Sequence, residues 1–434
     1  MCAKLTLQDV IREIELANQR RDLSHELTPA NREFFSRRNG TFEAVLTGNG
    51  DEKCLIPETG SVHYLYRGQN QEYIPCVPTI YRGHPSELDI FINRMRLMVF
   101  QELLDSHPVV QHFFKKHHFL IDYEGLAQHY GLKTEVLDLT SKLNVAIFFA
   151  VCKYDEINNC YKYFNDNELH KAILYVFDPI RDNEPCPSSH FENYMQGNIK
   201  PIGLQAFQRP GAQFGYSLHI SRGKSIKCWM YEFSFTSEDS KYYYDLFHQG
   251  EQLWVKDILI NKVKAISSLK EFSYRVFGET YRKYKPKRYS RNSLQKSLNS
   301  IGITFNSGSS DIIFTDDEVK AIIDDWNTVI APELSQKIVR KYWFECDGVD
   351  DKCHIIGMKN RSDYRTLESI STVKYQEFIA DPDGPKNALW RNYTNLPRPK
   401  EAPRTDDNEW HKIDERFVSE FGKPFLTEND WIIK

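Results

Sequence analysis

The sequence predicts an α+β protein with a mixed core. Helix signals gather in the first half of that core and strand signals in the second. Ser86-Glu87-Leu88-Asp89 is a cap ahead of an apolar stretch over about 87–104. Lys171–Phe177, Ile226–Phe235, Gln252–Ile260 and Val263–Ser267 run apolar or alternate at strand length. The composition is globular: 41% hydrophobic, 13% aromatic and 27% charged.

In chain order, residues 1–59 read as a helical leader. Thr6-Leu7-Gln8-Asp9 caps a short amphipathic helix carrying Val10, Ile11, Ile14 and Leu16. Arg32–Arg38 and Asn39-Gly40 read as polar surface and a turn. Residues 60–280 form the core domain. Its first strand is Val62–Arg67, ended by Gly68. Helices follow over 87–104 and from Tyr123 to Tyr130. The apolar run Leu143–Val151, after Thr140-Ser141, reads as a buried helix. Residues 281–296 form a basic linker, with Arg282, Lys283, Lys285, Lys287, Arg288, Arg291 and Lys296 and no acid among them. Tyr281, Tyr284 and Tyr289 are interleaved, so a nucleic-acid contact is the competing reading. Residues 297–434 form an accessory module, opened by the capping box Thr315–Glu318 and a helix through Val319, Ile322, Ile323 and Trp326. Trp343, Trp390, Trp410 and Trp431 follow amid turns, and Pro397–Asp407 reads as loosely ordered.

With 434 residues the chain is long enough for two to four domains at about 100–200 residues each. Its 56 basic and 60 acidic side chains leave a net charge of −4, which excludes polyanion binding by bulk charge. No run of about 18 apolar residues predicts a membrane span, and the N-terminus lacks a signal-peptide pattern. The nine cysteines are odd in number and form no C-x-x-C pair, which fits a reducing cytoplasm. Cys346 and Cys353-His354 have no second close pair, so no metal site is expected. The chain has no P-loop, no G-x-S-x-G, no H-E-x-x-H and no G-x-G-x-x-G.

Three patches carry the chemistry. They are Tyr66-Arg67-Gly68-Gln69 with Tyr81-Arg82; Leu126 to Thr134 continuing through Leu137-Asp138-Leu139-Thr140-Ser141 to Ala150; and Arg209 to Gly215. Together they resemble the FRG domain, named for its Phe/Tyr-Arg-Gly motif, over roughly residues 60–270. Glu135 and Leu139 depart from the family, which usually has Arg and Trp there. The order Arg67, Thr140-Ser141, Gln249-x-Glu251 also resembles the Arg–Ser–Glu class of ADP-ribosyltransferases. That resemblance implies an ADP-ribosyltransferase-like core with NAD as substrate and no metal. Arg67 would hold the NAD phosphates and Ser141 would fix the nicotinamide ribose. Glu251 would stabilise the oxocarbenium-like charge as nicotinamide leaves. Tyr66, Gly68, Gln69, Gln128, His129, Tyr130 and Thr140 would line the NAD site, and Gln213 and Gln249 would meet the acceptor.

Each residue has a plainer reading. Arg67 pairs with a buried acid such as Asp138 and locks the fold. Thr140-Ser141 is a helix N-cap. Glu251 is a solvated acid at a strand end, His129 a core histidine, Tyr130 a core aromatic, and Gln213 satisfies a turn. The expected function is transfer of ADP-ribose to a protein or nucleic-acid acceptor. A bacterial toxin or phage-defence setting, with a regulatory partner or antitoxin, is the expected context. The alternative is a non-catalytic module that binds a nucleotide or nucleic acid.

Overall fold

The computed structural model describes residues 5–24, 42–46, 53–57, 64–71, 73, 76–178, 199–224, 228–308, 311–335, 338–340, 426 and 428–434. The strands are β1 (Leu5–Thr6), β2 (Phe42–Leu46), β3 (Lys53–Pro57), β4 (Leu65–Gln69), β5 (Val136–Thr140), β6 (Cys152–Asp155), β7 (Cys160–Tyr163), β8 (His170–Phe177), β9 (Ile199–Pro201), β10 (Gly215–His219), β11 (Trp229–Phe235), β12 (Glu271–Ser273), β13 (Thr304–Asn306) and β14 (Ile338–Arg340). The helices are α1 (Leu7–Ser24), α2 (Glu87–Asp105), α3 (Tyr123–His129), α4 (Leu143–Val151), α5 (Gln208–Ala212), α6 (Ser237–Leu246), α7 (Leu259–Ser268), α8 (Tyr274–Tyr284), α9 (Arg291–Ser300), α10 (Asp316–Asp325), α11 (Ala331–Ser335) and α12 (Glu428–Trp431). The fold is α+β, with strands and helices more interspersed than the sequence predicts.

A seven-stranded mixed sheet organises the core in the order β1-β11-β8-β4-β5-β10-β9. β1 runs parallel to β11, and the other neighbours are antiparallel. Burial on both faces explains why β8 is apolar from Ala172 to Phe177. Ala172, Leu174 and Val176 join the cluster on the face covered by α4, and Ile173, Tyr175 and Phe177 join the cluster on the other. β4 obeys the same rule: Tyr66 lies with α4, whereas Leu65 lies opposite. Helix α4 presses so close that a Cβ at Gly68 would stand 1.8 Å from the Ala146 carbonyl oxygen.

A second, helical core joins α2, α3, α7, α8 and α9. At its far end the Phe113 ring lies 4.7 Å from that of Trp431 and 4.9 Å from that of Trp326. Trp326 Nε1 donates to the Trp431 carbonyl at 2.7 Å, so the indole N–H is satisfied although buried.

The expected helices over 87–104, from Tyr123 and over Leu143–Val151 are all present. Ser86 and Thr315 form the predicted capping boxes, with Asp89 and Glu318. Four expectations need correction. β4 continues through Gly68 to Gln69, because the glycine is used for close packing and not for a turn. Gln252–Ile260 forms turns and the start of α7, and Val263–Ser267 is helical. Leu259, Val263 and Ile266 are buried at helical spacing. The N-cap of α4 is Lys142 rather than Thr140 or Ser141. The Thr140 hydroxyl instead accepts the Lys142 N–H at 3.0 Å from outside the helix. The stretch 282–296 carries the end of α8 and the start of α9, with Tyr281 and Tyr289 packed on the helical core. Residues 32–38, Cys346, Cys353, His354, Trp343, Trp390, Trp410 and 397–407 lie outside the described residues. Among the described residues no helix is long and apolar enough to cross a membrane.

Candidate functional site

β4 and β5 pair at the single position Tyr66↔Thr140. An antiparallel ladder continued from there would set Gly68 opposite Asp138. Instead the strands part, and Arg67 fills the gap. Its Nη1 donates to the Asp138 carbonyl at 2.9 Å and to Asp138 Oδ1 at 2.5 Å. The arginine side chain is 9% exposed and the aspartate side chain 37%. A buried guanidinium therefore holds a carboxylate that still opens to solvent. Burial pushes the Asp138 carboxyl up, but the Arg67 and His129 charges and the Arg67 hydrogen bond outweigh it and hold it at about 2.

The second patch closes around this pair. Gln128 Nε2 donates to Asp138 Oδ1 at 3.4 Å, and Gln128 Oε1 accepts from Thr134 at 2.6 Å and from Thr79 at 3.3 Å. His129 lies at the end of α3, with burial lowering its pKa to about 4, so it is neutral at pH 7. Gly215 leaves its ring room: a Cβ there would stand 3.1 Å from His129 Nε2, a tight contact.

The third patch locks the histidine in place. Arg209 is 1% exposed; its Nη1 donates to the His129 carbonyl at 3.3 Å and its Nε to that of Val255 at 2.7 Å. The guanidinium is sandwiched by the Tyr130 ring at 4.5 Å and the Trp254 ring at 4.1 Å. Tyr130 also donates its hydroxyl to Asp257. Gln213 Nε2 donates to the Leu253 carbonyl at 2.9 Å, while the Gln213 carbonyl accepts from Thr140 at 2.6 Å. The Ser141 N–H donates to the Phe214 carbonyl at 3.3 Å, placing Ser141 on this same turn.

Around this convergence five buried polar atoms have no protein partner. They are Arg67 Nε, Gln69 Oε1, His129 Nε2, Ser141 Oγ and Arg209 Nη2. Buried polar groups are normally satisfied, and each orphan costs about 1–3 kcal/mol unless a water or ligand meets it. These orphans fall on all three patches.

The structure thus joins Arg67, Gln128, His129, Thr140, Ser141 and Gln213, with Tyr130 behind Arg209, while Gln69 lies two residues along β4 from Arg67. Tyr66 and Gly68 belong to the α4 face, where the Tyr66 hydroxyl accepts from Asn18 at 3.3 Å. Gln249 and Glu251 stand apart. They are exposed on a turn in which His248, Gln249 and Gly250 all have positive φ, and no strand follows. Gly250 packs on Phe148 and Tyr161, and the charge of Glu251 is felt by Tyr244. The plainer sequence reading, that Arg67 pairs with Asp138, is what the structure shows, but the sequence assigns neither Asp138 nor Arg209 a part in ligand binding. Their positions inside the second and third patches were the available signal. Among the described residues no group of three or more His, Cys, Asp or Glu side chains is arranged to hold a metal.

A family model described as the FRG domain matches residues 62–159, a span that holds β4, the Asp138 strand and α4. That span is shorter than the one expected, and Arg209 and Gln213 lie beyond it. Neither the curated proteins nor the solved structures include a match to the chain.

Proposed function

We propose that the FRG domain and the third patch form a nucleotide cleft in which this chain transfers ADP-ribose from NAD to a macromolecular acceptor. The observation that carries the reading is the ionised, solvent-open Asp138 beside five unpartnered buried polar atoms. Breaking the glycosidic bond of NAD develops positive charge at the anomeric carbon, and a fixed carboxylate stabilises that charge. Asp138 is pre-ionised by Arg67 and needs no proton loss during the step. The acceptor's nucleophile forms a bond to the anomeric carbon as the bond to nicotinamide breaks. Nicotinamide departs neutral, and the proton of the nucleophile passes to Asp138 or to His129 Nε2. Arg67 Nε and Arg209 Nη2 supply donors for diphosphate oxygens, and Ser141 Oγ and Gln69 Oε1 supply partners for ribose hydroxyls. On this reading the mixed sheet is an ADP-ribosyltransferase-like core in which Asp138 takes the part first given to Glu251. A toxin or phage-defence effector, held in check by a partner, is the biological setting we favour. The second reading, a non-catalytic nucleotide-binding module, rests on the same orphaned atoms.

The test is mass spectrometry of nicotinamide release from NAD by purified protein with cell lysate. Wild type should release nicotinamide, and Asp138→Asn should slow it by about 100-fold or more, the scale of a lost charge-stabilising group. Glu251→Gln should keep its activity. Loss in Glu251→Gln with full activity in Asp138→Asn would reverse the assignment. A rise in melting temperature with NAD but no release would select the binding module, and neither response would refute both readings.

A further inference from the structure

A separate groove includes Arg82, whose guanidinium feels the charges of Arg67 and Asp138. The groove has a volume of about 670 Å³ and is formed by the loop before α2, the first turns of α2, Lys133, and residues from the α7–β12 and α9–β13 connections. Four cations line it: Arg82, Arg96, Lys133 and Lys270. The lone carboxylate on its wall, Asp89, is occupied in the α2 capping box, where its Oδ2 accepts from the Ser86 N–H at 3.0 Å and from the Ser86 hydroxyl at 2.7 Å.

The cations are set for an anion from outside. None of the four forms an ion pair with a described residue. Arg96 is the best placed. Its Nη1 donates to Asn93 Oδ1 at 3.1 Å and its Nη2 to the Leu269 carbonyl at 3.1 Å, fixing the plane of the guanidinium. Its Nε is buried and has no partner. A fixed guanidinium flanked by flexible ammonium groups suits phosphate oxygens. Ile301, half exposed, offers an apolar surface of the kind a base or other flat ring can lie against, with Ile80, Ile92 and Ile303 buried behind it. The volume lies in the range of small-molecule sites, about 300–1,000 Å³.

We propose that this groove binds the polyphosphate group of a small ligand, a nucleoside polyphosphate being the class that uses both its cationic and its apolar walls. The site is separate from the β4–β5 seam, and the proposal does not rest on ADP-ribosyl transfer. The two sites adjoin at Arg82, which lines the groove and whose guanidinium feels the charges of Arg67 and Asp138.

Calorimetric titration with ATP, sodium tripolyphosphate and a 20-nucleotide single-stranded RNA tests it directly. ATP should bind, and the affinity should fall as salt rises. The charge reversals Lys133→Glu and Lys270→Glu, made together at exposed positions, should weaken ATP binding about tenfold or more with the melting temperature unchanged. Lys264→Glu with Lys287→Glu, also exposed, should leave it unchanged. Weaker binding of tripolyphosphate than of ATP would assign a share to the isoleucine wall, and equal binding would assign it to phosphate alone. Both results uphold the site. No binding of ATP or tripolyphosphate, binding of RNA only, or equal losses in the two double variants would overturn it.

Discussion

Asp138 and Glu124 lie within one domain and respond to burial in opposite ways. At Asp138 the Arg67 guanidinium outweighs desolvation, and the folded pKa falls to about 2. Its share of stability is therefore full above pH ~4 and is lost as the pH falls toward 2. The solvent that reaches the carboxylate screens the pair, which limits that share to on the order of 1–2 kcal/mol. At Glu124 desolvation wins, helped by the nearby Glu135 and Asp122 charges, and the pKa rises to about 7. The folded chain holds that proton after the unfolded chain has released it, so stability drops as the pH rises from ~4.5 to ~7. Glu124→Gln removes this loss and keeps an oxygen to accept the Glu135 N–H, now 2.9 Å away. Scanning calorimetry should find the variant more stable than wild type by on the order of 2 kcal/mol at pH 8 and equal to it at pH 4. Equal melting temperatures at both pH values would show that Glu124 is not desolvated.

Helix α4 and strand β4 are joined by a backbone contact with no room for a side chain. Gly68→Ala places a methyl 1.8 Å from the Ala146 carbonyl oxygen, and backbone cannot step aside as a flexible side chain does. The variant should lose about 3 kcal/mol or more in urea denaturation; a loss below about 1 kcal/mol would mean that α4 is free to slide on the sheet. How far such elements are legible in sequence follows from which interactions fix them. Ser86-x-x-Asp89 and Thr315-x-x-Glu318 are local signals, and both caps stand where the spacing puts them. Helix α7 was misread because Leu259, Val263 and Ile266 sit in an apolar stretch short enough to fit either period. The turn at His248–Gly250 was missed because only glycine favours positive φ, yet His248 and Gln249 adopt it at 50° and 62°. At the site, motif spacing brought out Arg67, His129 and Gln213 as a set. The Arg67–Asp138 pair is legible in the sequence as a fold-locking ion pair, whereas the role of Arg209 is hidden, because it depends on a partner 46 residues away in the chain.

At the scale of the molecule, a sheet core and a helical core share one chain, and the helical core is closed by a distant segment. Trp431 is 5% exposed and stacks on Phe113, and its carbonyl receives the Trp326 indole N–H. Trp431→Ala leaves a void beside both rings and should cost about 3–5 kcal/mol in urea denaturation. A change under 1 kcal/mol would mean that this segment rests on the core without supporting it. The large sheet itself is unevenly stitched. β8 and β11 are paired along their whole facing length, from Trp229↔Val176 to Phe235↔His170, whereas β4 touches β5 only at Tyr66↔Thr140. In native-state hydrogen exchange, the amides of β5 that point toward β4 should open well before those of Leu174 and Phe233, and uniform protection across both pairs would refute this. One ladder rung and one guanidinium thus sew the β1-β11-β8-β4 leaf to the β5-β10-β9 leaf, so the Arg67–Asp138 pair is a stitch of the sheet as well as part of the candidate site.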